Sequence, residues 1–218
     1  MAQKNIKKGV FITFEGPEGC GKTTHAQALC DFFKNKSLDC VFTREPGGTK
    51  AGEEIRRLLL HSSGIEMSNL TELFLFEAAR SQIVEELIKP SLKAGKVVIC
   101  DRFTDATICY QGYAGGIDIE SIESLNEVAT GGLKPDLTIL LDVDTATGLS
   151  RAMSKGFDRM EKKEIGYHKK VRDGYLKLAK KYPERIKVIK VDGSIEYTQT
   201  LVKREAEKIV FRKHKRAK

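Results

Sequence analysis

The stretch GPEGCGKTT, residues 16–24, decides the fold. Its first eight residues fit G-x-x-x-x-G-K-[ST], the pattern of a loop that wraps polyphosphate in backbone N–H groups. Gly16, Gly19 and Gly21 permit the turns that aim those groups inward. Lys22 can reach the β- and γ-phosphates, and the Thr23 hydroxyl can ligate Mg²⁺. The flanks agree with the pattern. GVFITFEG, 9–16, reads as an apolar strand, and 22–36 reads as a helix with Ala28, Leu29, Phe32 and Phe33 on one side. The loop, from Gly16 and Pro17 through Glu18, Cys20 and Thr24, is expected to line a nucleoside triphosphate site. Two features stand out: Glu18 places a carboxylate inside an anion-binding loop, and Lys22 is the loop's only basic residue.

Outward from the loop, apolar runs alternate with helical patterns. DCVFTRE (39–45), KVVICDR (96–102), PDLTILLDV (135–143) and RIKVIKV (185–191) read as further strands. Helices are expected over 52–61, 70–93 and 196–211, with Leu73, Phe76, Leu87 and Ile88 facing inward on the second. Pro90 should kink that helix or start its last turn. Such alternation predicts a single α/β domain over 1–218, a three-layer sandwich with a five-stranded parallel sheet and helices on both faces. Ligands in these sheets bind outside the carboxyl ends of the strands. The suspicious residues lie there: the loop after strand one, TREPGG after strand two, Asp101 and Arg102 after strand three.

Composition narrows the class. The chain has 218 residues and a formal net charge of +8. Five of its last eight residues are Lys or Arg, a pattern read as a solvated helix end. No aromatic-and-basic alternation points to nucleic acid, and no apolar run is long enough for a membrane span. The basic, then apolar N-terminus runs straight into the phosphate loop and is read as a strand rather than a signal peptide. The five cysteines (Cys20, Cys30, Cys40, Cys100, Cys109) form no C-x-x-C pair, which suits reduced thiols in a cytoplasm. The four histidines are scattered and offer no zinc spacing. A GTPase would carry N-K-x-D after a strand; NKSLD at 35–39 has the wrong spacing and precedes one. Asp101 fits an acidic position near Mg²⁺, directly or through water, and equally fits a buried acid capping the next helix.

FTREPGGT (42–49), FEAAR (76–80), DRF (101–103) and YQG (110–112) follow the phosphate loop in order. Together they resemble the bacterial thymidylate kinases, from the first strand to the last helix. The resemblance implies that Phe76 stacks on thymine and Arg80 donates to its O4. It places Thr107 and Gln111 at the base edge and Tyr110 against the deoxyribose, crowding out a 2′-hydroxyl. Arg102 and Arg56 would hold the acceptor phosphate, and Glu45 and Pro46 would shape the sugar–phosphate side; Arg44 receives no role. Glu18 would accept a hydrogen bond from the 3′-hydroxyl. The charge missing from the loop would come from a LID at 150–164, SRAMSKGFDRMEKKE, hinged at Gly156. There Lys155 stands where the family has its catalytic arginine, Arg159 is the alternative, and Arg151 lines the adenine side. VDGS, 191–194, would pack on adenine through backbone atoms. The implied reaction is transfer from Mg·ATP to dTMP by a cytoplasmic homodimer, with no nucleic-acid or membrane partner. The rivals are a kinase acting on UMP, CMP or AMP and an ATPase binding single-stranded DNA.

Overall fold

The computed structural model describes residues 9–61, 65–153, 159–160 and 163–215; Lys155 and Gly156 lie outside them. Five strands, β1 (Val10–Glu15), β2 (Cys40–Arg44), β3 (Val97–Asp101), β4 (Leu137–Asp142) and β5 (Ile186–Lys190), form one sheet in the order β2-β3-β1-β4-β5. Every pairing is parallel, as the strand–helix alternation requires.

β1 and β3 are buried along their whole length, which explains their unbroken apolar runs. Alternate residues of β1 serve opposite layers. Val10, Ile12 and Phe14 pack with Leu29 and Phe33 of α1 (Lys22–Asn35) and Val202, Ala206 and Val210 of α9 (Ile195–Lys215). Phe11 faces the other layer, where its ring meets Phe103 edge to face at 4.9 Å, beside Ile83, Val84 and Ile88. A second cluster on that face joins Leu140 to Cys109 and to Tyr175 of α8 (Ile165–Lys181). Among the described residues no helix is long and apolar enough to cross a membrane.

The helix expected over 70–93 runs as α3 (Asn69–Ile83), a π-helical turn (Val84–Ile88) and α4 (Lys89–Lys93), with Pro90 in the first turn of α4. Proline has no N–H and its ring crowds the carbonyl four residues back, so the turn widens just before it. A second π-helical segment, Ile108–Ala114, follows α5 (Thr104–Thr107) and carries Tyr110 and Gln111.

The phosphate loop is seated backbone to backbone. A Cβ on Gly19 would lie 1.9 Å from the carbonyl oxygen of Gly148, on α7 (Thr145–Met153). Conversely, a Cβ on Gly148 would lie 2.3 Å from the carbonyl of Glu18. Gly148→Ala should therefore push the loop off its helix. Overpacking of this kind costs about 1–3 kcal/mol, which for a chain this size is a fall in Tm of about 2–12 °C. A thermal melt of Gly148→Ala that overlays the parent, with nucleotide affinity intact, would contradict this seating.

Candidate active site

β1 ends at Glu15 and the chain enters the loop through Gly16, Gly19 and Gly21, all at positive φ. No side chain caps the start of α1. By contrast, the Ser68 hydroxyl caps α3, and Asp118 caps α6 (Ile119–Thr130). The first N–H groups of α1 are thereby left for an anion. The Lys22 ammonium donates to the carbonyls of Gly16 (3.2 Å) and Pro17 (2.9 Å), across the loop. Thr23 Oγ1 donates to Asp101 Oδ2 at 2.5 Å, which joins the loop to the end of β3. The next helix, α5, starts without a side-chain cap, so the capping role considered for Asp101 is set aside. Burial pushes the Cys20 thiol up, away from a thiolate nucleophile.

Glu18 points sideways out of the loop. Its Oε1 accepts from Arg102 Nη2 at 2.7 Å and from the Tyr110 hydroxyl at 2.6 Å. Burial alone would raise this carboxyl, but Arg102 and Lys22, helped by Tyr110, outweigh it and hold it at about 2. Arg102 also donates to the Gly16 carbonyl (3.3 Å) and the Tyr175 hydroxyl (3.2 Å), with its guanidinium carbon 4.8 Å from the Tyr110 ring centre. Tyr175 in turn donates to Glu15 Oε2 at 2.7 Å, and the Phe103 N–H donates to Glu15 Oε1 at 2.7 Å. Burial, reinforced by Asp105, pushes the Glu15 carboxyl up to about 8.

A second knot surrounds Arg80, which is only 2% exposed. Its Nε donates to Glu45 (2.8 Å), and its Nη1 meets Glu77 (2.6 Å), Thr107 (2.7 Å) and Asn126 (2.7 Å). Nη2 donates once, to the Phe103 carbonyl at 3.1 Å, which leaves one N–H of that nitrogen for a ligand. Burial pushes Glu45 up to about 7 against the pull of Arg80. Glu45 Oε1 is buried without a hydrogen-bond partner.

Both knots open on one cleft of about 730 Å³. Of the predicted site residues that the structure describes, all but Gly16, Pro17 and Arg159 line it. Phe76 and Arg80, one helical turn apart on α3, face it together, with Thr107, Tyr110 and Gln111 on an adjoining wall. Arg56 also lines it while donating to the Pro46 carbonyl at 2.8 Å. At the opposite end stand Arg151, with Val191 and Gly193 of the VDGS segment. Arg159 is engaged elsewhere: Nε donates to the Leu59 carbonyl at 2.8 Å, at the end of α2 (Lys50–His61), and Nη2 donates to Glu72.

Sequence reasoning passed over Glu72, Glu77, Asn126 and Tyr175, the partners that hold the arginines, and Glu15, which holds Tyr175 and the Phe103 N–H. It also passed over His25 and Thr198, which line the cleft. One of these had a usable signal. Glu72 lies one helical turn before Phe76, so it is an acid on the inward stripe of α3.

Comparison with known proteins matches this geometry to one family. The sequence model described as Thymidylate kinase matches residues 14–202. The chain is 47% identical over 190 residues to a thymidylate kinase of Dehalococcoides mccartyi, covering 87% of this chain and 90% of that one. It is 45% identical over 208 residues to a thymidylate kinase of Symbiobacterium thermophilum, covering 95% and 97%. A crystal structure of thymidylate kinase from Ehrlichia chaffeensis superposes with a TM-score of 0.74 at 37% identity, over 92% of this chain and 99% of that one. With the family match running over residues 14–202 and the alignments covering most of each relative's length, this chain belongs to the thymidylate kinase family.

Proposed function

We infer that this protein transfers the γ-phosphoryl group of ATP to dTMP, giving ADP and dTDP. The observation that carries the reading is one cleft lined both by the phosphate loop and by Phe76 and Arg80. Membership of the family disfavours the UMP, CMP and AMP kinase readings and the DNA-stimulated ATPase.

ATP lies with its phosphates in the loop, on the N–H groups of α1 and on Lys22, and with its base towards Arg151 and Gly193. dTMP lies in the same cleft with its base on Phe76. Arg80 donates its remaining N–H to O4, while Thr107 and Gln111 meet the rest of the base edge. Tyr110, buried against Tyr167 and Tyr175, crowds the 2′ position. Arg102 stands between the two nucleotides. Its bond to Glu18 is exchangeable: a phosphate can take the guanidinium while Glu18 turns to the 3′-hydroxyl. Arg56 and Arg102 then hold the acceptor phosphate, and Glu45 with Pro46 bounds that side. The chemistry needs no covalent intermediate; alignment of acceptor oxygen and γ-phosphorus, with fixed positive charge around them, lowers the barrier.

The residues present fit Mg²⁺. Thr23 and Asp101 bring a hydroxyl and a carboxylate together, and hard oxygen donors of this kind suit an ion that otherwise keeps water and phosphate oxygens. Among the described residues no group of three or more His, Cys, Asp or Glu side chains is placed to hold a metal ion. When bound, the ion neutralises charge on the β- and γ-phosphates.

The LID supplies the remaining charge. Arg159 is committed to Glu72 and the end of α2, so the transition-state role falls to Lys155, outside the described residues. Lys155→Ala should lower kcat about 100-fold or more, the size of a lost transition-state contact, and Lys22→Ala at least as much. If neither Lys155→Ala nor Arg159→Ala changes kcat by more than roughly threefold, the LID assignment is falsified.

Glu18 gives an independent test of how the acceptor lies. Glu18→Gln should raise the KM for dTMP by about tenfold, the usual loss of a charged hydrogen bond. It should barely affect 3′-deoxythymidine monophosphate, which has no 3′-hydroxyl to lose. Equal damage to both acceptors would place the sugar elsewhere.

The working form is a homodimer. Leu70 and Phe74, each 51% exposed, sit one turn apart on α3, and Val128 projects from the neighbouring α6. A twofold axis would lay this apolar strip against its own copy. Phe74→Asp should shift sedimentation from dimer to monomer; a parent already monomeric at micromolar concentration rules the arrangement out. The five cysteines are free and buried, which suits the cytoplasm.

A further inference from the structure

Glu72 is almost fully buried, 3% exposed at its side chain, and belongs to no part of the phosphate machinery. It lies on the same stripe of α3 as Phe76 and Arg80, each one turn from the next. Its two oxygens have different partners. Oε1 accepts from the Gln111 side-chain amide at 2.8 Å. Oε2 accepts from Arg159, with the Lys163 ammonium 4.0 Å from Oε1.

We propose that Glu72 is a positioning residue for base selection, fixing which end of the Gln111 amide faces the acceptor base. The reasoning rests on the dTMP reading of the cleft. An ionised carboxylate only accepts hydrogen bonds, so the amide end turned to Glu72 must be the NH₂. The carbonyl oxygen of Gln111 is then the end presented to the cleft, which Gln111 lines. Arg80, which bonds Thr107 four residues before Gln111 and lines the same cleft, supplies an N–H. The wall thus offers an acceptor next to a donor. Thymine offers the complement, N3–H beside O4. Cytosine offers the reverse, a bare N3 beside an amino group, and mismatches both positions. A site built to hydrogen-bond a polar edge rejects an analogue that leaves its groups unpaired. Arg159 completes the device by donating to the other oxygen of Glu72, which holds that carboxylate in place.

The test is Glu72→Gln, which is nearly isosteric. Arg159 is 24% exposed and can turn to water, so the change leaves no stranded buried cation. A glutamine at this position can present either oxygen or nitrogen to Gln111, so the amide loses its fixed sense. Dissociation constants for dTMP and dCMP are measured by calorimetry on parent and variant, with the KM for ATP as control. The preference for dTMP over dCMP should narrow at least tenfold while the KM for ATP stays within twofold. A purely structural role would weaken both pyrimidines equally; an unchanged ratio therefore overturns the proposal. Should Glu72→Gln melt below the assay temperature, Glu72→Asp carries the same measurement. It keeps the charge near Arg159 and withdraws the oxygen from Gln111, and an unchanged ratio there is equally fatal. Failure of the underlying reading is separate: it appears as absent dTMP turnover in the parent enzyme.

Discussion

The turn at Arg102 governs the geometry of everything around it. Consecutive residues of a strand point to opposite faces. Yet Asp101 reaches Thr23 and Arg102 reaches Glu18, both on the phosphate loop. The chain meets that demand by leaving β3 in the left-handed region, with φ 69 at Arg102. A non-glycine residue there costs about 1–3 kcal/mol unless its surroundings hold it. They do hold it: the Arg102 N–H donates to the Phe14 carbonyl at 2.9 Å, and the guanidinium is shared among Glu18, Gly16 and Tyr175. Loop, sheet and α8 are clamped together at the wall of the cleft.

Although the chain is strongly basic, the interior around the site is rich in carboxylates, and several of its arginines are matched by one. Glu18 holds Arg102, Glu45 and Glu77 hold Arg80, Glu72 holds Arg159, and Asp105 holds Arg185 at 2.6 Å. For Arg80, 2% exposed, removing one carboxylate partner costs about 3–5 kcal/mol because buried charge is left without compensation. Arg80 is therefore a structural residue of the wall as well as one that lines the cleft. Glu15 is bonded instead to the Tyr175 hydroxyl and the Phe103 N–H, and burial, reinforced by Asp105, pushes it up to about 8. Because its folded value lies above the ordinary 4.5, its contribution to stability is complete below that value. The contribution then declines as pH rises towards 8.

The sheet, its parallel sense and the ligand-bearing edge were legible because unbroken apolar runs followed by helical periods admit few other arrangements. The phosphate loop was legible from its glycines. The family motifs named the cleft walls down to Thr107 and Gln111, and those side chains do converge. What stayed hidden was the set of partners. Gly148 approaches the loop because α7 happens to cross it, and nothing local in GLSRAM marks that. The π-helical segment at Ile108–Ala114 sets where Tyr110 and Gln111 project, and no single-residue propensity encodes a π turn. Glu72 was visible in the inward stripe but had no meaning until Gln111 and Arg159 appeared beside it. Pairings across 39 and 87 positions of sequence are tertiary facts.

That last pairing also shows what Arg159 is used for. Its Nε donates to the Leu59 carbonyl at the end of α2, and its Nη2 donates to Glu72 on α3. Its neighbour Met160 lines the cleft and belongs to the apolar cluster that holds Leu59, Leu73 and Tyr110. A guanidinium carries five donors in a fixed fork, the same fork that can grip a phosphate. Here that fork is taken up by a backbone carbonyl and a carboxylate only 3% exposed. Arg159 therefore serves the wall of the cleft, joining two helices across it, rather than offering its charge to the space between them.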